Sequence, residues 1–184
     1  SGAVYDADAL KAFADVLKRH PHVWILTDDM YEHLLYDNAV FKTIAQLEPE
    51  LYDRTLTVNG VSKGYCMTGW RIGFLAAPKP IAQAINALQS HSTSNATSFA
   101  QKGAVAALTG PQTHLDEWLT EFNKRRSYAA DRLNNMAGVS CVNSRGAFYL
   151  FPNIEGPGLK SAEFCERLLD QAKVAAVPGI ACGA

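Results

Sequence analysis

The feature that most constrains the fold is a pair of predicted strands joined by a short loop. Residues 55–59 (TLTVN) form one β-branched run, and residues 71–77 (RIGFLAA) form another that Pro78 stops. A parallel connection needs about a dozen residues or more. The loop from Lys63 to Trp70 is shorter than that. The two strands must therefore run antiparallel if they are neighbours in one sheet.

The segment before this pair adds a helix and a further strand. Apolar residues recur at helical spacing over residues 6–19, and Asp6 or Asp8 can cap the start of that helix. Residues 23–27 (VWILT) form a short apolar run that is typical of a buried strand. This order of elements predicts an α/β fold with a mostly parallel sheet, buried on both faces by helices.

The second half of the chain is predicted to be mainly helical and then mixed. Helices are expected at residues 81–91, 99–110, 112–135 and 161–172, and strands at 139–143, 146–152 and 173–178. We expect residues 1–110 to be part of a large domain, 111–135 a long connecting helix, and 136–184 part of a small α+β domain. The basic run 124–126 is interpreted as a solvated face of that helix, and aromatic residues such as Trp70 and Phe148 as core.

Composition excludes several classes of protein. The formal net charge of −1 gives no electrostatic argument for binding nucleic acid or an anionic membrane, and no apolar run is long enough to span a bilayer. The four scattered cysteines indicate free thiols and a cytoplasmic location. His20 and His22 lack partners at metal-ligand spacing, so no metal site is predicted. Both ends fall within a structural pattern, which suggests a piece of a longer protein.

Three residues that can carry chemistry follow or precede the predicted strands. Asp28 ends the first strand, Lys63 follows the second, and Arg71 opens the third. An antiparallel strand begins where its parallel neighbours end, so all three are predicted at one edge of the sheet, where open α/β folds bind ligands. Each residue also has a structural interpretation. Asp28 could cap a helix, Lys63 could be a surface charge, and Arg71 could form an ion pair with Asp28 or Asp29.

The same residues lie in strings that resemble a known family. Residues 62–78 (SKGYCMTGWRIGFLAAP) and 26–37 (LTDDMYEHLLYD) closely resemble the class I/II aminotransferases of fold type I, which use pyridoxal 5′-phosphate (PLP). The similarity is greatest to the bacterial aspartate aminotransferase branch. Residues 145–154 and 174–183 are similar to small-domain segments of that family, so the resemblance extends over essentially the whole chain.

The resemblance implies a role for each candidate residue. Lys63 would hold PLP as a Schiff base and then act as the general base. Asp28 would keep the pyridine nitrogen protonated, and Tyr31 would donate a hydrogen bond to the phenolic oxygen of the cofactor. Arg71 would bind the phosphate through its planar guanidinium. Ser62 would add a phosphate contact, although a turn hydroxyl that bonds the backbone is an equal interpretation.

The resemblance also implies an activity and a partner. An aminotransferase would move an amino group between an aspartate-like or aromatic amino acid and a 2-oxo acid, and would act as a homodimer. Residues 92–98 are similar to a family segment near the dimer interface, or form a turn between helices. A cofactor-binding asparagine, the phosphate loop and the substrate-binding arginine of the family have no counterpart in residues 1–184, so the resemblance implies that this chain alone is incomplete and inactive. A C–S lyase, a cyclopropane-forming synthase, a sensor domain of a transcriptional regulator and a non-catalytic scaffold stay open as alternatives.

Overall fold

The computed structural model describes residues 1–183 and shows a mixed α/β chain, as predicted. The described helices are α1 (Ala7–Lys18), α2 (Ile44–Leu47), α3 (Lys79–Ser92), α4 (Ser98–Thr109), α5 (Thr113–Asn134) and α6 (Ser161–Ala172). The described strands are β1 (Ile25–Asp28), β2 (Thr55–Gly60), β3 (Gly73–Ala76), β4 (Ser140–Cys141) and β5 (Pro152–Asn153). Short 3₁₀ segments occur at Pro49–Arg54, Thr68–Trp70 and Gly179–Cys182.

The larger sheet has the strand order β1-β2-β3. Strands β1 and β2 are parallel, with Asp28 opposite Val58. Strands β2 and β3 are antiparallel, with Gly60 opposite Gly73. The prediction that the short loop forces an antiparallel third strand is therefore confirmed. Strands β4 and β5 form a separate antiparallel pair.

Helix α1 begins as the sequence predicts and packs on the start of the sheet. The side chain of Asp6 accepts a hydrogen bond from the backbone nitrogen of Ala9 at 3.0 Å, which satisfies one free donor of the first turn. Ala14 of this helix is fully buried in a cluster with three further apolar residues: Ile25, Ile44 and Leu51. This cluster fixes the position of β1.

A second cluster holds the chain on either side of the loop between β2 and β3. Its buried members are Val61, Tyr65, Ile72, Ala100 and Ala104. The last two residues belong to α4, so the loop is packed against that helix. The second cluster therefore positions the segment that contains Lys63 and Arg71.

The chain divides into two compact units. One consists of Val4–Thr120, and the other of Ser1–Ala3 together with the described residues from Glu121 onward. The division falls within α5, the long helix that the sequence predicts as a connection. The predicted division into residues 1–110, 111–135 and 136–184 stays a proposal.

Two strand predictions in the C-terminal unit are wrong. Residues 173–178 are irregular and pair with no strand in the described part of the chain, and residues 146–152 contribute only the end of the short β4–β5 pair. An apolar β-branched run makes a strand only when a neighbouring backbone supplies its hydrogen bonds. Local composition carries no information on that partner.

Burial differs from the prediction at the sheet and on α5. Ile25 is buried, but the next residue of β1, Leu26, faces the opposite side and is 68% exposed. Residues 1–183 thus leave one face of β1 uncovered. Phe148, predicted to be a core residue, is 41% exposed, whereas Arg126, predicted to be solvated, is 7% exposed. It shares one face of α5 with Phe122 and Ala130 at i−4 and i+4, a pattern that indicates an inward-facing position.

Candidate functional site

The predicted site residues stand at one edge of the β1-β2-β3 sheet. Asp28 is the last residue of β1, and Tyr31 follows it in the next loop. Ser62 and Lys63 lie in the turn that follows the last residue of β2, and Arg71 precedes β3. Because β1 and β2 are parallel and β3 is antiparallel to them, the end of β2 and the start of β3 coincide at this edge. The roles of these residues remain proposals.

The turn after β2 holds Lys63 between backbone hydrogen bonds. The nitrogen of Met67 donates to the carbonyl of Val61 at 3.3 Å, and the nitrogen of Cys66 donates to the carbonyl of Lys63 at 3.2 Å. Val61 is fully buried, and the side chains of Ser62 and Lys63 are partly buried. Lys63 is therefore anchored to the core by its backbone rather than carried on a solvated loop.

Arg71 has an uncommon backbone conformation. Its φ of 56° lies in the left-handed region, which residues other than glycine rarely adopt. Its Nη1 atom donates to the carbonyl of Thr68 at 2.9 Å. Arg71 pairs with neither Asp28 nor Asp29 among the described residues, so the ion-pair interpretation is wrong. Backbone outliers of this kind cluster at functional sites, and Arg71 is exposed.

A cleft of about 620 Å³ opens beside Arg71. It is lined by Gly69, Trp70, Arg71, Gln89, Thr93, Asn95, Ala96, Thr97, Phe99 and Ala100. Residues 93–97 connect α3 to α4, so the interpretation of residues 92–98 as a turn between helices is confirmed. Arg71 and the first residues of α4 thus line one cleft, whereas Asp28, Tyr31, Ser62 and Lys63 are not among its lining residues.

Trp70 joins this cleft to α4. A Cβ atom at Gly103 would lie 2.6 Å from Cζ3 of Trp70, so the absence of a side chain at Gly103 makes room for the indole. The ring also contacts Phe99 edge-on. Trp70 is nevertheless 45% exposed, so the prediction that it is a core residue is wrong. It is a wall of the cleft instead.

The two consecutive aspartates at the end of β1 differ in environment. Asp28 is exposed, and its Oδ1 atom accepts a hydrogen bond from the nitrogen of Met30 at 3.3 Å. Asp29 is partly buried and accepts a weak hydrogen bond from the Thr27 hydroxyl at 3.5 Å. Burial raises the pKa of the Asp29 carboxyl above its ordinary value. The accessible carboxylate is therefore that of Asp28.

Sequence reasoning missed Glu32, which connects the loop after β1 to strand β2. Oε1 of Glu32, in the loop after β1, accepts a hydrogen bond from Nδ2 of Asn59 in β2 at 2.7 Å. Asn59 also accepts from the nitrogen of Gly60 at 2.7 Å. Residues so far apart in the chain reveal no pairing in a single sequence.

Metal-binding clusters and membrane-spanning helices are absent from residues 1–183. This part of the chain contains no group of three His, Cys, Asp or Glu side chains that could hold a metal ion. The rings of His20 and His22 contact each other edge-on, with centroids 6.0 Å apart. No helix among these residues has the length and apolar character needed to cross a membrane. The four cysteines form no disulfide there.

Sequence comparisons identify relatives over the whole chain. The chain is 49% identical over 193 aligned residues to the aspartate/prephenate aminotransferase of Cereibacter sphaeroides and covers 48% of that protein. It is 48% identical to the aspartate aminotransferase of Rhizobium meliloti and covers 47% of it. Both alignments include 100% of the chain. The chain thus spans about half the length of the curated relatives it matches.

Comparison with solved structures gives the same result. The aspartate aminotransferase of Rhizobium meliloti superposes on 100% of the chain with a TM-score of 0.94 and 46% identity, and the chain covers 48% of it. The aromatic aminotransferase of Pyrococcus horikoshii also gives a TM-score of 0.94, at 39% identity, with 49% of that protein covered. The family model for "Aminotransferase class I and II" matches residues 1–184. The chain therefore belongs to the class I and II aminotransferase family and has its fold type I architecture.

Proposed function

We propose that the protein is a PLP-dependent aminotransferase in which Lys63 carries the cofactor. The observation that supports this most is the arrangement of Asp28, Lys63 and Arg71 at one edge of the sheet, in a chain of this family. A carboxylate, an amine and a guanidinium are the groups that match the ring nitrogen, the aldehyde and the phosphate of PLP. The donor set therefore fits the cofactor.

Each residue has a distinct task in this proposal. Asp28 would accept a hydrogen bond from the protonated ring nitrogen of PLP, and Tyr31 would donate one to its phenolic oxygen. Arg71 would bind the phosphate, and the cleft that it lines also includes the first residues of α4, where backbone N–H groups favour anions. Ser62 lies next to Lys63 in the same turn and is proposed as a further phosphate contact.

Lys63 has the central chemical task. When bound, PLP supplies the electron sink that lets an amino acid lose its α-proton. Lys63 would hold the cofactor through Nζ, and its freed amine would accept the proton of the substrate α-carbon and donate it to the cofactor carbon. The backbone hydrogen bonds of its turn and the buried Val61 hold this amine in place.

We propose an aspartate-like amino acid and a 2-oxo acid as the substrates, because the relatives at 48–49% identity are named for aspartate. An aromatic amino acid is the second candidate, since the Pyrococcus horikoshii structure is an aromatic aminotransferase. We also propose a homodimer in the cytoplasm. The resemblance of residues 92–98 to an interface segment supports the dimer, and the free thiols support the location.

The test is a donor comparison with the purified protein and added PLP. Aspartate and phenylalanine are each supplied with 2-oxoglutarate, and formation of glutamate is followed. Turnover that favours aspartate and disappears in Lys63→Ala supports the proposal. Persistent turnover in Lys63→Ala contradicts it. With S-methylcysteine as a third donor, release of pyruvate, ammonia and methanethiol would identify a lyase instead. PLP binding without any turnover would favour a sensor domain or an incomplete active site.

A further inference from the structure

The backbone beside Lys63 lies directly against the ring of His33. Gly64 is buried, and a Cβ atom placed there would lie 2.8 Å from Cδ2 of His33. Real Cβ atoms do not approach carbon this closely, so only glycine permits the contact. Gly64 follows Lys63 in the chain, so His33 limits how far the Lys63 turn can move towards the loop after β1.

His33 is itself held from two sides. Its Nε2 atom lies 3.5 Å from Oε1 of Glu32, the same oxygen that accepts the hydrogen bond from Asn59. Its ring packs edge-on against Tyr65, with centroids 5.7 Å apart. The contacts with Glu32 and Tyr65 together restrict rotation of the imidazole, whose side chain is 34% exposed.

Tyr65 connects this contact to the helices. Its hydroxyl lies 2.9 Å from Oε1 of Gln112, and its ring lies 5.7 Å from that of His114. Burial raises the pKa of the Tyr65 hydroxyl, which therefore stays a neutral hydrogen-bonding group at neutral pH. Gly64 of the Lys63 turn therefore contacts His33, and the ring of His33 packs on the anchored Tyr65.

We propose that His33 is a positioning residue for Lys63. Its ring fixes the backbone at Gly64 and so sets the place from which the Lys63 amine acts. The inference rests on the proposed function for the role of Lys63, but the contact itself exists without any cofactor. In this proposal the imidazole restrains the backbone at Gly64 by contact alone. Another planar ring can provide that contact, whereas a small side chain cannot.

The test is a double-mutant cycle with a readout on Lys63. The cofactor-free chain is trace-labelled with acetic anhydride across a pH series, and labelling of Lys63 is measured by peptide mapping relative to Lys102, which is exposed on α4. Gly64→Ala is expected to change this ratio by roughly threefold or more, the size typical of coupled neighbours. The His33→Ala background lacks the ring. There, the effect of Gly64→Ala on the logarithm of the labelling ratio should be less than about half of its effect in the unaltered chain.

Two further variants separate positioning from general stability. His33→Phe keeps a ring against Gly64 and is expected to retain the pH midpoint of Lys63 labelling, whereas His33→Ala shifts it. His91→Ala removes an exposed imidazole from α3 and should leave the midpoint unchanged. Circular dichroism identifies any variant that fails to fold; if Gly64→Ala does, the comparison of His33→Ala with His33→Phe decides the inference, because neither variant adds an atom at Gly64.

The outcomes are distinct. An equal change on Gly64→Ala in both backgrounds, or no change in either, overturns the inference. Absence of a PLP adduct on Lys63 in the unaltered chain would instead count against the proposed function, because the labelling cycle requires no cofactor. A retained midpoint in His33→Ala would also overturn the inference.

Discussion

Truncation of Val61 is expected to destabilise the unit that carries Lys63. Val61 is fully buried in the second core cluster, and its carbonyl closes the Lys63 turn. Val61→Ala removes two buried carbon groups, worth about 1.6 kcal/mol at ~0.8 kcal/mol each. A residual cavity of roughly 40 Å³ adds about 1 kcal/mol. The expected loss is therefore about 2–3 kcal/mol in the free energy of unfolding.

Urea unfolding measures this loss, with tryptophan fluorescence as the signal. All three tryptophans, Trp24, Trp70 and Trp118, lie in the same unit as Val61. With a slope of about 2 kcal/mol/M, the midpoint should fall by roughly 1–1.5 M.

Val105→Ala is the matched control for this experiment. It makes the same change on α4 at a side chain that is 56% exposed, and it should shift the free energy by less than about 0.5 kcal/mol. Equal shifts for the two variants would refute the inference that Val61 anchors the turn through burial.

Three further substitutions test separate parts of the account. Arg126→Met should lower the free energy of unfolding in urea by about 1.5–3 kcal/mol, because it leaves the buried carbonyl of Ser144 without the donor that lies 2.5 Å away. Arg125 is exposed, so Arg125→Met should lower it far less. Similar losses for the two variants would contradict the burial of Arg126. Since burial raises the pKa of Asp29 above 3.8, its contribution to stability is present below that pH and is lost as the pH rises through the raised value. Asp29→Asn should therefore gain stability relative to the unaltered chain across that rise, and a constant difference at all pH values would contradict this. Arg71→Gln should weaken PLP affinity by roughly tenfold or more in an absorbance titration, and unchanged affinity would remove Arg71 from the proposed phosphate site.

The larger sheet could be predicted from the sequence because loop length and helix capping are local features of the chain. Loop length alone fixes the antiparallel direction of β3. The Asp6 cap and the apolar spacing that follows predict a helix over residues 6–19, and α1 extends over Ala7–Lys18. The strand directions place Asp28, Lys63 and Arg71 at one edge of the sheet. The position of the candidate site can therefore be predicted from the sequence alone.

The remainder depends on contacts between distant residues. Burial of Arg126 requires the carbonyl of Ser144 to face α5, and the basic run around it suggested a solvated position. The irregular segment 173–178 has strand composition but no partner strand in the described part of the chain. The packing of His33 on Gly64 joins two loops that no short-range pattern relates. Such pairings are tertiary and have no signature in one sequence.

The most direct test of the central claim is covalent capture of PLP on Lys63. The protein is incubated with PLP, reduced with borohydride and analysed by intact mass and peptide mapping, with Lys63→Ala treated in parallel. The account predicts one cofactor-sized increment, located on the Lys63 peptide and absent from the variant. An increment on another lysine that persists in Lys63→Ala, in a folded protein, would contradict it.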